Sequence, residues 1–583
     1  MNVFTHHNKK RLLHFFVIAM LLLSVMVFRL FYIMVVRSKY YGEAAVAIQE
    51  RERSIKAPRG LIYDRNGVIL AGNKAVCSIS VIHSRITDEE KVIKELSERL
   101  DMDEAVVRKK VAKVSSREKI KSNVDKDVAD EIRDLDLAGV MVDDDYKRYY
   151  PYSELASKVI GFTGADNQGI VGIEVEYDKV LMGTNGSINT LTDANGIEIP
   201  GAAENRKEPV MGDNLVLTLD VNIQMYIEQA AMKVMKEKNA NRVCVIVMNP
   251  QNGEIYGMAD VPGYNLNEPF KYNKSDKTTN EVTQDDLNNM WRNFCINDTY
   301  EPGSTFKIVT ATSAMAEGVV GLEDSFYCPG YKLVGDRRIK CHKTVGHGAE
   351  TFKQGIMNSC NPVFMEVGAR VGAEDFYINM QKLGLFEKTG VDLPGEANSI
   401  FHKLENVGEV ELATMSFGQS FQITPLQLVR AVSAVVNGGT LVTPHFGKYI
   451  TDSNNNIISE LKYDRKNGVI KNETSETMKY LLKAVVDEGS GKNAYIEGYS
   501  IGGKTATSEK LPRSSNKYIS SFIGFAPAEN PVVLTLIMID EPEGVYYGGT
   551  IAAPVVGDIY NNILPYLGIE KEETEETKES KRE

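Results

Sequence analysis

A serine and a lysine lie three residues apart within the segment Tyr300–Thr310, at positions Ser304 and Lys307. The segment begins as a Pro-Gly loop and continues as an apolar-periodic run, so both residues are expected on one face of a helix's first turn. An amine held unprotonated beside a serine hydroxyl can take its proton while the oxygen attacks a carbonyl. The pair therefore predicts acyl-transfer chemistry. Alone it is a weak signal, because Ser-x-x-Lys arises by chance in most long chains.

Two further polar clusters follow this pair, in the order that serine acyl-transfer enzymes of this type require. The first is Ser359-Cys360-Asn361, which a proline follows. The second is the segment Gly502–Thr507, which contains Lys504. Three signals in the correct order and at domain-scale spacing together indicate one catalytic domain.

With these motifs the chain resembles the class B penicillin-binding proteins, single-function D,D-transpeptidases that cross-link peptidoglycan. The resemblance extends from about residue 55 to about residue 560. Outside the catalytic motifs it is carried by the segments Arg59–Gly67, Gly172–Glu174, Leu217–Asp220, Phe417–Ser420 and Thr424–Gln427.

Within this family, the segments Cys328–Tyr331 and Asn358–Pro362 look most like the division and stage V sporulation group. Elongation, division and sporulation roles are not separable from the sequence. One position departs from the family pattern, because Ala506 stands where a glycine is usual. The extra methyl group is expected to narrow the substrate's approach to the strand edge slightly.

The resemblance implies that Ser304 attacks the D-Ala-D-Ala carbonyl of a stem peptide, and that the amine of a second stem peptide then opens the acyl-enzyme. Lys307 is the expected base, because burial and the nearby cation of Lys504 would both lower its pKa. β-Lactams are expected to acylate Ser304 and to stay attached. No Glu-x-x-x-Asn sequence stands where a deacylating base would be expected.

The other family positions are expected to hold the substrate. By the resemblance, the hydroxyls of Thr505 and Thr507 bind its terminal carboxylate, Ser359 relays a proton to the departing D-Ala nitrogen, and Asn361 holds its amide. The backbone N–H groups of Ser304 and Thr507 would form the oxyanion hole, where one such donor is worth roughly 3 to 4 kcal/mol.

Three of the six cysteines surround a histidine in the order Cys328, Cys341, His347, Cys360. Three thiolates and an imidazole make a closed tetrahedral zinc set, and the resemblance adds that some class B relatives hold a metal in this region. His342 is an alternative ligand. A disulfide between Cys341 and Cys360, or between Cys328 and Cys341, remains open in an exported protein, as do free thiols. The zinc ion, or a disulfide that includes Cys360, would tether the catalytic loop, because Cys360 lies inside the second motif.

An apolar stretch at residues 12–36 is long enough to cross a bilayer as one helix. Lys9, Lys10 and Arg11 precede it, which predicts a cytoplasmic N-terminus and an extracytoplasmic catalytic domain. A cleavable signal peptide is the alternative, but no small-x-small site follows the stretch. The predicted divisions are a cytoplasmic tail at 1–11, an anchor at 12–36, a pedestal domain at 40–240, a transpeptidase domain at 241–568 and a disordered acidic tail at 569–583.

The expected fold class is α+β. Between residues 40 and 240, short β-like runs and a charged helical region from 87 to 134 predict an elongated α+β pedestal. In the next domain, two apolar runs around a Pro-Asn-Gly turn predict a hairpin at 243–259. With strand-like runs at 518–525 and 532–539, they predict an antiparallel sheet built from both domain ends, with helices between. The resemblance implies the penicillin-binding and serine β-lactamase-like fold.

A formal net charge of −12 without basic clusters beyond the N-terminus argues against nucleic-acid binding. A class B enzyme cannot polymerise glycan. The resemblance therefore implies a membrane glycosyltransferase partner of the shape, elongation, division and sporulation family. Two other functions stay open: a membrane-anchored β-lactam sensor or β-lactamase, and a non-catalytic division scaffold.

Overall fold

The computed structural model of the protein describes residues 4–41, 50–114, 117–191, 205–274, 277 and 281–572. The chain forms two compact units. Unit 1 consists of residues 1–58, 74–147 and 184–210, and unit 2 of residues 59–73, 148–183 and 211–583. The predicted boundary between residues 240 and 241 stays a prediction.

Short runs of helices and of strands follow one another along the chain. The α-helices are α1 Phe4–Phe31, α2 Glu89–Leu100, α3 Glu104–Val111, α4 Lys126–Asp134, α5 Ser157–Ile160, α6 Gly172–Glu176, α7 Asp178–Leu181, α8 Val221–Glu237, α9 Gln284–Trp291, α10 Phe294–Asn297, α11 Lys307–Ala316, α12 Phe352–Met357, α13 Asn361–Val371, α14 Ala373–Lys382, α15 Glu409–Met415, α16 Pro425–Val436, α17 Asn472–Asp487, α18 Gly548–Ile551 and α19 Ala553–Tyr566. The strands are β1 Glu50–Ile55, β2 Ile62–Tyr63, β3 Ile69–Val81, β4 Glu118–Asp125, β5 Val140–Tyr149, β6 Gly186–Leu191, β7 Asn205–Lys207, β8 Asn214–Leu217, β9 Arg242–Met248, β10 Ile255–Val261, β11 Ser325–Cys328, β12 Tyr331–Val334, β13 Arg337–Lys340, β14 Gly348–Thr351, β15 Leu441–Val442, β16 Gly447–Thr451, β17 Ile457–Glu460, β18 Arg465–Lys466, β19 Gly502–Glu509, β20 Tyr518–Ala526 and β21 Val533–Asp540.

Helix α1 is the predicted membrane anchor, and it continues through a π-helical turn at Tyr32–Val36. The span Lys9–Val36 reaches a mean hydropathy of 2.5, and its residues are not buried within the protein. A helix of this length and composition covers the hydrocarbon core of a bilayer. The prediction of a single membrane-spanning helix is confirmed.

In unit 1, helices α2, α3 and α4 pack with β3 and β4 around a small core of aliphatic residues. The sequence pattern predicted a helical region throughout residues 87–134, and this is wrong at β4. Ile120 and Val124 of β4 are buried, and Val124 pairs with Cys77 of β3. Pairing with a distant strand therefore overrides the local helical pattern, as is common for short strands.

The C-terminal part of unit 2 is built on a five-stranded sheet in the order β10-β9-β21-β20-β19. All its neighbouring strands are antiparallel, so the predicted hairpin and the pairing of the two domain ends are confirmed. Its central strands are buried on both faces. Helices α8 and α19 cover one face, and α11 and α16 belong to the core on the other. Strand β19 is left at the edge.

Two of the segments that carry the family resemblance meet in unit 2. The Arg59 guanidinium donates from Nε to Glu174 Oε2 at 2.6 Å and from NH1 to Asp178 Oδ1 at 2.7 Å. Arg148 donates to the other oxygen of Glu174 at 2.7 Å. Arg59 and Glu174 are fully buried, which makes this ion-pair network a structural element, since removing one partner would leave a buried charge.

At the C-terminus, the predicted disordered tail at 569–583 lies outside the described residues from 573 onward. The described residues after α19 are held against the protein by hydrogen bonds. The backbone N–H of Glu572 donates to the Gly498 carbonyl at 2.8 Å, and the Ile569 carbonyl accepts from the Tyr499 hydroxyl at 3.3 Å.

Candidate active site

Ser304 lies in a 3-10 turn, Gly303–Phe306, that leads directly into α11, whose first residue is Lys307. The Thr305 hydroxyl donates to the Pro302 carbonyl at 2.7 Å and closes this turn. With three residues per turn, Ser304 and Lys307 lie one above the other, as their spacing predicted. Ser304 is half-buried, whereas Lys307 is 1% exposed.

The backbone before Ser304 rests on a second segment of the resemblance. Gly303 has a φ of +57°, and its N–H donates to the Gly418 carbonyl at 2.9 Å. A Cβ placed on Gly418 would lie 2.0 Å from the Gly303 carbonyl oxygen. Both positions therefore require glycine, which explains the segment Phe417–Ser420.

Sequence reasoning missed Glu301, whose carboxylate accepts the Ser420 N–H at 2.8 Å. Glu301 is 8% exposed although it is acidic, and it lies three residues before Ser304. A buried carboxylate needs partners, so an acidic residue directly before the Pro-Gly turn was the available signal.

The Lys307 amine joins the first two motifs. Its Nζ lies 2.7 Å from the Ser359 carbonyl oxygen, 3.1 Å from Ser359 Oγ and 2.8 Å from Asn361 Oδ1. Burial lowers the pKa of Lys307 to about 8, against the opposing influence of Cys360 and other nearby acidic groups. The amine thus links the helix that follows Ser304 to the turn that contains Ser359 and Asn361.

The second motif occupies the turn between α12 and α13. Ser359 has a φ of +54° and is 7% exposed. Helix α13 begins at Asn361, and Pro362 in its first turn has the fixed φ that suits this position. A left-handed serine costs about 1 to 3 kcal/mol, and such strain is concentrated at functional sites.

Lys504 lies on β19 and is fully buried, with its Nζ 3.1 Å from the Thr505 carbonyl oxygen. Burial, and after it the charge of Lys307, lowers the pKa of Lys504 well below its usual value. The sequence predicted that burial and the nearby cation of Lys504 would both lower the pKa of Lys307. In the structure, burial is the main cause that lowers the pKa of both amines, and their mutual repulsion acts in the same direction. The site therefore opposes two simultaneous ammonium charges.

The threonines of the third motif have partners that the sequence did not indicate. Thr505 Oγ1 donates to Ser490 Oγ at 3.2 Å, and Thr507 Oγ1 accepts the Gly548 N–H at 3.0 Å. Strand β19 lies at the sheet edge. An edge strand offers backbone N–H and C=O groups to which an extended peptide can add.

Ala506 is 3% exposed and lies beside the loop that carries Ser304. A Cβ placed on Gly303 would be 3.7 Å from the Ala506 Cβ and 2.3 Å from Ser508 Oγ. The methyl group of Ala506 therefore packs next to Gly303, where it occupies space between the loop and the strand.

The four predicted metal ligands lie together. One ligand atom from each of Cys328, Cys341, His347 and Cys360 lies within 4.8 Å of all the others. The three cysteines are buried and carry free thiols. His342 lies at the side of this cluster, with Nδ1 3.8 Å from Cys341 Sγ. Three sulfurs and an imidazole at this separation fit a tetrahedral zinc ion after small side-chain adjustments.

A buried carboxylate that the sequence argument missed faces the cluster. Glu350 is 4% exposed, and its Oε1 accepts from Asn358 Nδ2 at 2.7 Å. Its Oε2 has no hydrogen-bond partner within the described residues and lies 3.8 Å from His347 Nδ1. The same His347 Nδ1 lies 3.7 Å from Cys341 Sγ, so it is the ring nitrogen that faces the cluster. A buried carboxylate beside it adds negative charge, which also suits a bound cation.

Two family models match the chain. Residues 243–561 match the penicillin binding protein transpeptidase domain, and residues 54–217 match the penicillin-binding protein dimerisation domain. Stage V sporulation protein D of Bacillus subtilis is 39% identical over 570 residues, which cover 96% of this chain and 86% of that protein. A probable peptidoglycan D,D-transpeptidase, PenA of Neisseria meningitidis, is 30% identical over 533 residues, which cover 89% of this chain and 86% of that protein.

Solved structures share the fold. Penicillin Binding Protein 2X from Streptococcus thermophilus has a TM-score of 0.73 and 21% identity, covering 90% of this chain and 83% of that chain. Penicillin binding protein 3 from Mycobacterium tuberculosis, complexed with aztreonam, has a TM-score of 0.67 and 23% identity, covering 89% of this chain and 98% of that chain.

Proposed function

Because the chain belongs to the class B penicillin-binding protein family, we propose that Ser304 is the nucleophile through which it cross-links peptidoglycan. The protein is a serine-type D,D-transpeptidase of division or sporulation and a target of β-lactams. The observation that carries the assignment to Ser304 is the position of Lys307. Its buried amine shares a helical turn with Ser304 and lies within 3.1 Å of Ser359 and Asn361.

In the first step, the neutral Lys307 amine takes the Ser304 proton as the oxygen attacks the penultimate D-Ala carbonyl. The N–H groups of Ser304 and Thr507 hold the resulting oxyanion. Ser359 Oγ, 3.1 Å from Lys307 Nζ, relays the proton to the departing D-Ala nitrogen. Lys504 and the hydroxyls of Thr505 and Thr507 bind the terminal carboxylate.

In the second step, the amine of another stem peptide attacks the ester. Lys307 accepts a proton from this amine and returns one to the Ser304 oxygen, so that the ester bond breaks, a new peptide bond forms and Ser304 leaves as a hydroxyl. Asn361 holds the substrate's amide while its own Oδ1 fixes the lysine at 2.8 Å. The same groups therefore serve both steps with their proton roles reversed.

Intact-mass measurement after incubation with a fluorescent penicillin tests the assignment. The wild type should gain one penicilloyl mass, and Ser304→Ala should gain none. Ser313→Ala is the matched control, because this buried serine of α11 bonds only to its own helix within the described residues. An adduct on Ser304→Ala would refute the assignment.

The lifetime of the adduct separates the other functions. A synthase should keep the penicilloyl group for hours, because it holds no deacylating base. Release within minutes would favour a sensor with hydrolytic activity or a β-lactamase. A folded wild type that is never acylated would favour a non-catalytic scaffold.

We also propose that Cys328, Cys341, His347 and Cys360 hold a structural zinc ion. The convergence of their ligand atoms within 4.8 Å supports this. Such an ion would fix the turn that contains Ser359, since Cys360 follows it directly. Elemental analysis should find about one zinc per chain. A thiol count on unfolded protein with chelator should find all six cysteines, whereas a disulfide would leave four.

The proposal also covers the orientation of the protein in the membrane and its glycosyltransferase partner. Lys9, Lys10 and Arg11 precede the apolar part of α1, which supports a cytoplasmic N-terminus and an extracytoplasmic catalytic domain. A reporter fused at either end tests this. A membrane glycosyltransferase that supplies the glycan strands would contact α1, and photo-crosslinkers placed along α1 in membranes should capture it.

A further inference from the structure

The hairpin formed by β12 and β13 has one face on the protein and one face in solvent. Cross-strand pairing joins Leu333 with Arg338 and Tyr331 with Lys340, so these four residues share a face. The opposite face packs against the main core of unit 2 through Val334 and Ile339. Leu333 is 65% exposed, and Arg338 and Lys340 are exposed as well.

The exposed face is basic in a protein whose net charge is −12. Within the described residues, neither Arg338 nor Lys340 has a carboxylate within 4 Å, so no ion pair neutralises them. The Arg338 guanidinium lies 3.7 Å from the centre of the Tyr331 ring, and this cation–π contact holds the guanidinium in position. Lys332, on the packed face, has by contrast a partner in Glu366 at 3.1 Å.

The Lys340 end of the hairpin borders the proposed catalytic residues. The Lys340 carbonyl accepts from Asn361 Nδ2 at 3.4 Å, and Asn361 Oδ1 lies 2.8 Å from Lys307 Nζ. Two residues along a strand span about 7 Å, so Arg338 and Lys340 lie about that far apart on β13. The two charges thus form a short row whose Lys340 end adjoins Asn361.

We propose that this row, Arg338 and Lys340 above Tyr331 and beside Leu333, binds the acidic part of the stem peptide. The inference deepens the proposed function and rests on it. An extended peptide covers about 3.3 Å per residue, so a residue two or three positions before the scissile bond lies about 7 to 10 Å from it. A stem peptide carries D-glutamate in that region. Its α-carboxylate matches the charge of the row, and alanyl methyl groups match Leu333.

Two synthetic stem pentapeptides that end in D-Ala-D-Ala test the proposal. One has a free α-carboxylate on D-glutamate, and in the other this group is an amide. Release of D-alanine is measured for the full-length protein in detergent, with an amine acceptor present. The wild type should have a KM at least fivefold lower for the acid than for the amide, and added salt should reduce this preference.

The variant Arg338→Glu/Lys340→Glu should raise KM for the acid peptide at least tenfold and for the amide less than threefold. The control is Lys236→Glu/Lys388→Glu, which makes the same charge change at two surface lysines that have no acidic partner within 4 Å in the described chain. It should alter neither KM more than twofold. Arg338→Lys/Lys340→Arg should restore the preference, because it keeps both charges.

Equal KM values for acid and amide in an active wild type would overturn the inference and leave the proposed function intact. So would equal losses on both peptides in the charge-reversed variant, which would indicate damage to the neighbouring Asn361. A preference for the acid that a polyphosphate chain abolishes, without any effect of Arg338→Glu/Lys340→Glu, would place the anion site elsewhere. Absence of penicilloyl-Ser304 in the wild type would instead refute the proposed function.

Discussion

The Glu301 carboxylate accepts hydrogen bonds from the Arg513 guanidinium at 3.0 and 3.3 Å, although the two residues lie 212 positions apart in the chain. The same carboxylate also accepts the Ser420 N–H. One acidic side chain therefore joins three segments around Ser304: the nucleophile loop, the segment that supports it and the turn between β19 and β20.

Replacing Glu301 by Ala should lower both stability and the acylation rate. Hydrogen bonds to a charged group are worth about 1.5 to 3 kcal/mol, and the Ser420 N–H would lose its acceptor. We expect a loss of about 1 to 3 kcal/mol in the free energy of unfolding and a five- to fiftyfold slower reaction with penicillin. Thermal melting and stopped-flow acylation measure the two effects.

Glu509→Ala is the control, because Glu509 is the more distant carboxylate of Arg513, at 3.8 Å, and does not contact Ser420. It should change the acylation rate less than twofold. If it slows acylation as much as Glu301→Ala does, the effect comes from Arg513 and not from the nucleophile loop.

The rate of acylation should depend on pH through Lys307. Only the neutral amine can accept a proton, and its fraction rises with pH up to the pKa. A pKa of about 8 raises the neutral fraction at pH 7 about 300-fold over a free lysine. The rate constant with a penicillin that does not titrate in this range should therefore rise about tenfold between pH 6 and 7 and level off above pH 8.

Lys307→Arg checks the origin of this profile. Arginine keeps the positive charge but is not deprotonated, so acylation should fall by roughly 10²- to 10⁴-fold and lose its rise between pH 6 and 8. A flat profile in the wild type would show that another group accepts the Ser304 proton.

The local sequence was sufficient to predict the features that depend on residue spacing within one helix or one hairpin. The separation of Ser304 from Lys307, the hairpin of β9 and β10 and the anchor helix are of this kind, since each follows from a short-range period. The order of the three motifs then indicated a shared site. None of these inferences requires knowledge of which distant segments meet.

The sequence did not indicate the features that depend on tertiary contact. The pairing of Glu301 with Arg513 and the contact of Lys307 with Ser359 join segments far apart in the chain. The helical expectation at β4 failed for the same reason, because its partner strand lies some 40 residues earlier. The sequence predicted that the extra methyl group of Ala506 narrows the substrate's approach to the strand edge. In the structure this methyl group is buried beside Gly303, a contact that the sequence did not indicate.

Ala506→Gly should restore the usual family residue with little gain in β-lactam reactivity. The substitution removes a buried methyl group, and glycine increases the conformational entropy of the unfolded chain. We therefore expect a loss of about 1 to 2 kcal/mol in the free energy of unfolding and less than a threefold change in acylation rate. Gly303→Ala is the contrast, because its Cβ would lie 2.3 Å from Ser508 Oγ, and it should abolish acylation. A tenfold faster reaction of Ala506→Gly would mean that the methyl group obstructs the ligand.

Loss of one proposed zinc ligand should act on the second motif through the turn at Ser359. Cys328→Ser weakens the set by exchanging a thiolate for a hydroxyl, and it lies on a strand that does not contain the motif residues Ser359 and Asn361. We expect the zinc content to fall below half, the melting temperature to drop by several degrees and acylation to slow at least tenfold. Cys77→Ser, an equally buried exchange in unit 1, should leave zinc and acylation unchanged. If zinc is absent from the wild type and reductant alone slows acylation, the cysteines form a disulfide and the metal assignment is wrong.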